Sequence, residues 1–288
     1  MMEKVDEITR RALATTPGEL GQGSTIGVER VPDPTTLTRR FAEDLMTEYR
    51  SAKASGRAKV CFIMPVGPVG QYERWAEACN AAKVDLRDLV LIGMDEYLAA
   101  DGGWIDMDDP LSFRRHVQDR FWAVLDPALS PPEHQRLFPD PRDLEAIPRA
   151  IAIAGGVDVC FGGVGITGHV AFNDPPEPGV ALGEDELAAL PTRVVTLSRE
   201  TLLINSVTAA RGNVDRIPEK AVTVGMKEIL GARKVRLYLN RPWQCAIVRK
   251  LLHGPVTARV PVSLLQRHKD CRIVVTEEVT QLPEPTLR

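Results

Sequence analysis

No stretch of about 18 consecutive apolar residues occurs in the chain, so nothing in it reads as a membrane-spanning helix. An excess of one charge is missing too. The chain has 36 Lys and Arg against 39 Asp and Glu, a net charge of −3, which leaves no basic footprint for nucleic acid. No C-x-x-C pair occurs among the five cysteines, Cys61, Cys79, Cys160, Cys245 and Cys271. An odd number at wide spacing reads as buried free thiols in a reducing cytosol, with Cys61, Cys160 and Cys271 in or beside apolar runs. The first residues, Met1-Met2-Glu3-Lys4-Val5-Asp6, carry acids and no apolar core. A signal peptide is therefore not expected, and a cytoplasmic protein is. His116, His134, His253 and His268 have no metal-ligand spacing, and no dinucleotide fingerprint with a following acid is found. Neither a metal nor any other cofactor is expected.

What is present is an alternation of short apolar runs and amphipathic segments. Asp33-Pro34-Thr35-Thr36 predicts a helix start. Leu37, Phe41, Leu45 and Tyr49 then recur every four residues, to a stop at Ser55-Gly56. Val60 to Met64 predicts a strand, Gln71 to Ala82 a helix, and Leu89 to Met94 a strand with Asp95 at its carboxyl end. A helix is expected from Pro110 to about Leu125, another ending near Ala154, and a helix or mobile segment over 198–210. Further strands are expected at 157–161, 193–197, 235–239 and 272–276. Such alternation predicts an α/β fold, an open, mostly parallel sheet with helices on both faces. No linker divides the chain. We expect an N-terminal extension over 1–30, one α/β domain over 31–280 and a frayed tail over 281–288.

The stretch from Cys160 to Pro175, C-F-G-G-V-G-I-T-G-H-V-A-F-N-D-P, stands out. An apolar run ends in a loop with Gly162, Gly163, Gly165, Gly168 and His169. Asn173 and Asp174 follow within reach of the histidine. Glycine lets a ligand approach the backbone closely, and the carboxyl ends of strands are where open α/β sheets bind ligands. Taken alone, this is also what a Gly-rich turn with a surface histidine looks like.

Two runs together, Met94-Asp95-Glu96-Tyr97 and Cys160 to Pro175, resemble the M-D-E-Y and G-G-V-G-x-D-G-H-I-A-F-N-E-P of glucosamine-6-phosphate deaminases, in the same order. Pro110 to Phe113, Val222 to Gly225 and Pro261 to His268 add weaker matches, so the resemblance covers roughly 30–280. It implies the Rossmann-like fold shared with ribose-5-phosphate isomerase and 6-phosphogluconolactonase. It also implies aldose–ketose isomerisation of an amino sugar, with or without deamination. Asp95 would shuttle the proton between C2 and C1, His169 would serve ring opening, and Asp174 would help orient it. Gly67, Gly162, Gly163, Gly165, Thr167 and Asn173 would contact the substrate, the glycines through backbone amides. Glu96 and Tyr97 would pack behind the site. The expected partner is a small-molecule sugar, with no nucleic acid and no membrane, in a homo-oligomer.

The departures from the family pattern fall on the site. Thr167 replaces an acid that helps set the charge of the histidine. Asp174 replaces a longer Glu, so its contact with His169 is expected to be lost or bridged by water. The phosphate loop P-T-G-G-T-P is here Pro65-Val66-Gly67-Pro68-Val69-Gly70, without a hydroxyl, and Pro68 has no N–H to donate. Val207 and Gln244 stand where the family has basic residues, with Arg211 or Arg241 as possible substitutes in space. Three readings stay open at this point. One is an enzyme whose amino sugar or related sugar need not be phosphorylated at C6. The others are a catalytically inactive relative that binds a sugar or effector, and a lactonase-type hydrolase.

Overall fold

The computed structural model describes residues 7–284. The signal-peptide reading on residues 1–6 and the end of the expected tail, 285–288, lie outside them. The strands are β1 (Gly27–Val31), β2 (Val60–Met64), β3 (Leu89–Gly93), β4 (Asp95–Tyr97), β5 (Arg136–Leu137), β6 (Val159–Gly162), β7 (Arg193–Thr196), β8 (Lys220–Thr223), β9 (Lys234–Leu239) and β10 (Cys271–Thr276). Seven form one sheet in the order β1-β10-β9-β6-β2-β3-β5, with every pair parallel. The other three form an antiparallel sheet, β4-β8-β7.

The central strands are apolar throughout because both faces are covered. Successive side chains point to opposite faces, so Phe62, Leu91, Phe161, Tyr238 and Val274 enter one core. Their neighbours Ile63, Ile92, Cys160, Leu237 and Val275 enter the other. Helices Pro34–Ala54 and Gln71–Ala82 cover the first face with Leu37, Phe41, Leu45, Tyr72 and Trp75. Helices Ala146–Ala154, Met226–Leu230 and Cys245–His253 cover the second with Ile147, Met226, Ile229, Val248 and Leu251. All five cysteines are free and buried. No helix among the described residues is long and apolar enough to cross a membrane.

Several boundaries differ from the sequence expectation. β1 is an edge strand paired along its length with β10. Residues 27–30, assigned above to an extension, therefore belong to the main sheet. β3 ends at Gly93 rather than Met94, because the chain changes sheets there. A Cβ at Gly93 would lie 2.2 Å from the Phe138 ring, and Asp95 pairs with Thr223 in the second sheet. The helix expected to Leu125 is a short α-helix, Phe113–Val117, capped by Ser112, that continues as a π-turn over Gln118–Trp122.

The strand order positions the site. From β2 the chain runs outward to β3, and from the adjacent β6 it runs the other way to β9. Neighbouring strands whose connections diverge leave a crevice outside their carboxyl ends.

Candidate active site

That crevice holds a cleft of about 320 Å³. Its walls are the loop after β2 (Val66, Gly67), the start of β4 (Asp95, Tyr97), the loop after β6 (Gly163, Gly165, His169) and the segment after β9 (Asn240, Arg241). Asn205 and Thr208, from helix Arg199–Ala209, close the remaining side. Asp95 and His169, far apart in the sequence, thus face one space.

Asp95 is only 8% exposed. Burial, reinforced by the adjacent charge of Glu96, pushes its carboxyl up to about 8. Glu96 is fully buried and well satisfied. It accepts hydrogen bonds from Ser112 Oγ at 2.8 Å, Phe113 N at 3.1 Å and Arg114 N at 2.9 Å. It also pairs with Arg114 Nε at 3.2 Å. This one carboxylate caps the helix Phe113–Val117 and fixes a negative charge behind Asp95. Tyr97 turns its ring to Phe113 and Phe172 and takes a hydrogen bond from Asn205 Nδ2 at 2.9 Å.

His169 Nδ1 lies 2.7 Å from Asp174 Oδ1. The contact expected to be lost or bridged by water is therefore direct, because the tight turn from Val170 to Asn173 brings the shorter side chain close enough. Thr167 Oγ1 donates to the same Asp174 oxygen at 2.7 Å, and Thr201 Oγ1 donates to it at 2.9 Å. The Ser198 amide donates to the other oxygen at 3.2 Å. Burial alone would push the Asp174 carboxyl up. The hydrogen bond and charge of His169, with the two threonine hydroxyls, outweigh it and hold the carboxyl well below the usual range. An ionised carboxylate only accepts, so the proton between Asp174 and His169 belongs to Nδ1. Nε2 stands over Gly165.

Four of the expected substrate contacts are used by the protein itself. Asn173 is fully buried. Its Nδ2 donates to Val170 O and Val224 O, and its Oδ1 accepts from Arg193. Gly162 is a strand residue packed against Leu237 and Met94, away from the cleft lining. Thr167 sits behind His169, bonded to Asp174. Gly165 lines the cleft, but its N–H is given to His169 O at 2.9 Å. Its part is steric, since a Cβ there would lie 1.9 Å from His169 Nε2. Gly67 and Gly163 line the cleft. Gly165→Ala is expected to push the imidazole off Asp174 and lower turnover about 100-fold, the scale of a misplacement near 1 Å. The fold should be retained, so the check is turnover beside an unchanged far-UV spectrum.

Among the described residues that line the cleft Arg241 is the only Arg or Lys, and it stands exposed at the rim. Arg211 and Val207 do not line the cleft. Gln244 does, but its Nε2 donates to Val164 O at 2.8 Å and its Oε1 accepts from Arg241 N at 2.9 Å. Among the described residues no group of His, Cys, Asp and Glu could hold a metal ion.

No family model matches the chain. A glucosamine-6-phosphate deaminase of Porphyromonas gingivalis is 30% identical over 254 residues, covering 85% of this chain and 89% of its own. One of Phocaeicola vulgatus is 30% identical over 254 residues, covering 86% and 90%. Glucosamine-6-phosphate deaminase 1 of Bacillus subtilis is 28% identical over 219 residues, covering 75% and 83%. Among solved structures, a monomeric glucosamine-6-phosphate deaminase matches with a TM-score of 0.71 at 24% identity, over 88% of this chain and 98% of that one. The 6-phosphogluconolactonase of Thermotoga maritima matches with a TM-score of 0.64 at 14% identity, over 88% and 100%. Both structures share the fold.

Proposed function

Because the chain belongs to the glucosamine-6-phosphate deaminase family, we propose that its cleft isomerises a 2-amino sugar with an uncharged distal end, with or without release of the amine. The observation that carries this reading is that a buried carboxyl and an oriented imidazole face one space. Asp95 is a buried carboxyl pushed up to about 8, and His169 is held by an ionised Asp174. A carboxyl and an imidazole placed to reach the same substrate are what proton transfer at neighbouring atoms requires.

In this reading His169 Nε2 takes the proton from the anomeric hydroxyl and returns it to the ring oxygen as the C1–O5 bond breaks, leaving the open-chain aldehyde. Asp95 then removes the C2 proton and delivers it to C1 while a proton passes from the amine to O1, so the aldehyde becomes a primary alcohol and C2 becomes an imine. Water added to that imine expels ammonia and leaves a 2-ketose. A base must be ionised to act. We therefore expect kcat/KM to rise with pH through a limb near about pH 8, set by Asp95. A flat profile from about pH 6 to about pH 9, spanning that limb, would remove Asp95 as the base.

The lining of the cleft supports the uncharged distal end. Val66, Pro68 and Val69 line the loop side, and Asn205 and Thr208 the helix side. These offer neutral hydrogen bonds and apolar contact, and Arg241 at the rim is the one Arg or Lys of the lining among the described residues. The test is a panel of 2-amino sugars, free and 6-phosphorylated, assayed for ammonia and for ketose. Turnover confined to the phosphorylated members would contradict this half of the reading.

A further inference from the structure

We propose that Thr201 is a positioning residue for His169, supplying from helix Arg199–Ala209 part of the hold that the acid missing at Thr167 would otherwise give. The inference rests on the reading of His169 as the ring-opening group. Thr201 is fully buried and lies 32 residues along the chain from the histidine it serves. Its Oγ1 is 2.9 Å from Asp174 Oδ1 and 3.3 Å from His169 Nδ1. Ser198 Oγ donates to it at 3.0 Å, and the Thr201 amide donates back to Ser198 Oγ at 3.2 Å.

The proton order along this chain follows from what each group can do. A hydroxyl has one hydrogen and two lone pairs. Thr201 accepts from Ser198, so its own hydrogen is the one pointed at Asp174. What it turns toward His169 Nδ1 is a lone pair, which suits Nδ1–H and opposes an unprotonated Nδ1. Thr167 reaches Asp174 Oδ1 from the other side at 2.7 Å and stands 2.9 Å from Nδ1. Two hydroxyls and the imidazole N–H therefore converge on one carboxylate oxygen, while the Ser198 amide holds its partner oxygen. The carboxylate cannot turn without breaking several bonds, and the ring cannot exchange tautomers without facing two lone pairs. The Phe172 ring also stands beside the imidazole, with centroids 6.1 Å apart.

The same helix also reaches the Asp95 side. Asn205, four residues after Thr201 and so on the same helical face, donates to Tyr97 OH at 2.9 Å. Helix Arg199–Ala209 is thereby tied at Asp174 and at Tyr97, and the geometry of both halves of the cleft depends on its seating.

The experiment compares wild type, Thr201→Val and Thr201→Ser in the full chain, labelled with nitrogen-15 at histidine. The ring nitrogen signals of His169, assigned by their loss in His169→Gln, are read at a pH where the imidazole is neutral and without any sugar. Wild type and Thr201→Ser are expected to show the single pattern of an Nδ1–H tautomer. Thr201→Val, which keeps the shape and loses the hydroxyl, is expected to show averaging toward the other tautomer. Its turnover of ring-closed sugar should fall about tenfold, the scale of one hydrogen bond to a charged group, with Thr201→Ser restored. An unchanged nitrogen pattern in Thr201→Val would overturn the proposal, as would an Nε2–H pattern in wild type or a Thr201→Ser that behaves like Thr201→Val. Because the nitrogen signals are read without substrate, finding no amino sugar turned over would defeat the functional reading and leave this result standing on its own.

Discussion

Asp95→Asn is expected to lose about 100-fold to 10,000-fold in turnover, the range over which a positioned general acid–base group contributes, and to melt at a higher temperature than wild type at alkaline pH. The second half comes from linkage. Burial and the charge of Glu96 raise the Asp95 carboxyl from an ordinary 3.8 to about 8. An acid whose proton is held more tightly in the folded state takes up more protons there than when unfolded. Stability then falls as pH rises from about 4 to about 8. Every tenfold gain in proton affinity on folding corresponds to about 1.4 kcal/mol, so the ionised side chain costs on the order of several kcal/mol. Asparagine cannot ionise and avoids that cost. Its melting curve should lie about 5 °C or more above wild type near pH 9 and approach it near pH 4. Loss of turnover with a lower melting temperature at alkaline pH would mean that Asp95 is a structural acid.

Glucosamine 6-phosphate is expected to bind this protein no more than about tenfold better than glucosamine. Hydrogen bonds to charged groups contribute about 1.5–3 kcal/mol each. Lacking two of them costs about 3–6 kcal/mol, or roughly 100-fold to 10,000-fold in affinity. The structure sharpens the expectation formed from the sequence. Gln244 spends both ends of its amide on Val164 and Arg241, and Val207 faces solvent at 66% exposure. Neither can receive a phosphate as it stands. Of the two arginines considered as substitutes, only Arg241 reaches the cleft lining. Titration calorimetry with both sugars decides the matter. Micromolar binding of the phosphorylated form, displaced by inorganic phosphate and lost in Arg241→Ala, would show that one rim arginine does the work of the missing set.

The parts readable from the sequence were those encoded locally. Leu37, Phe41, Leu45 and Tyr49 recur at helical spacing, and all four are buried on one helix face. Val60 to Met64 is apolar because both faces of its strand are covered. The boundary at residue 30 was not readable, because β1 is defined by β10, more than 200 positions away. The same holds for Asp95. A strand reading continues through Met94, and only the Phe138 ring against Gly93 and the pairing with Thr223 reveal a change of sheet.

Within the site, spacing brought out the histidine and the acid but misjudged their surroundings. Asp174 is one methylene shorter than the family's residue, yet the turn before it makes up the distance. Asn173 looked like a ligand-binding amide, but its three hydrogen bonds all go to the protein. Gly165 looked like an amide donor and is instead the space under an imidazole. Thr201 carried one local signal, a Ser198-x-x-Thr201 helix cap. Nothing in the linear pattern connects that cap to Asp174.

On the proposed reading, this cleft moves the C2 proton of an amino sugar through Asp95. It is tested most directly with glucosamine, galactosamine and glucosamine 6-phosphate, each carrying deuterium at C2, followed by NMR in ordinary water. The label is expected to leave C2 of at least one unphosphorylated sugar, appearing at C1 of the ketose or in the solvent, and Asp95→Asn is expected to stop this. Label retained at C2 in every sugar, or released as fast by Asp95→Asn as by wild type, would contradict it.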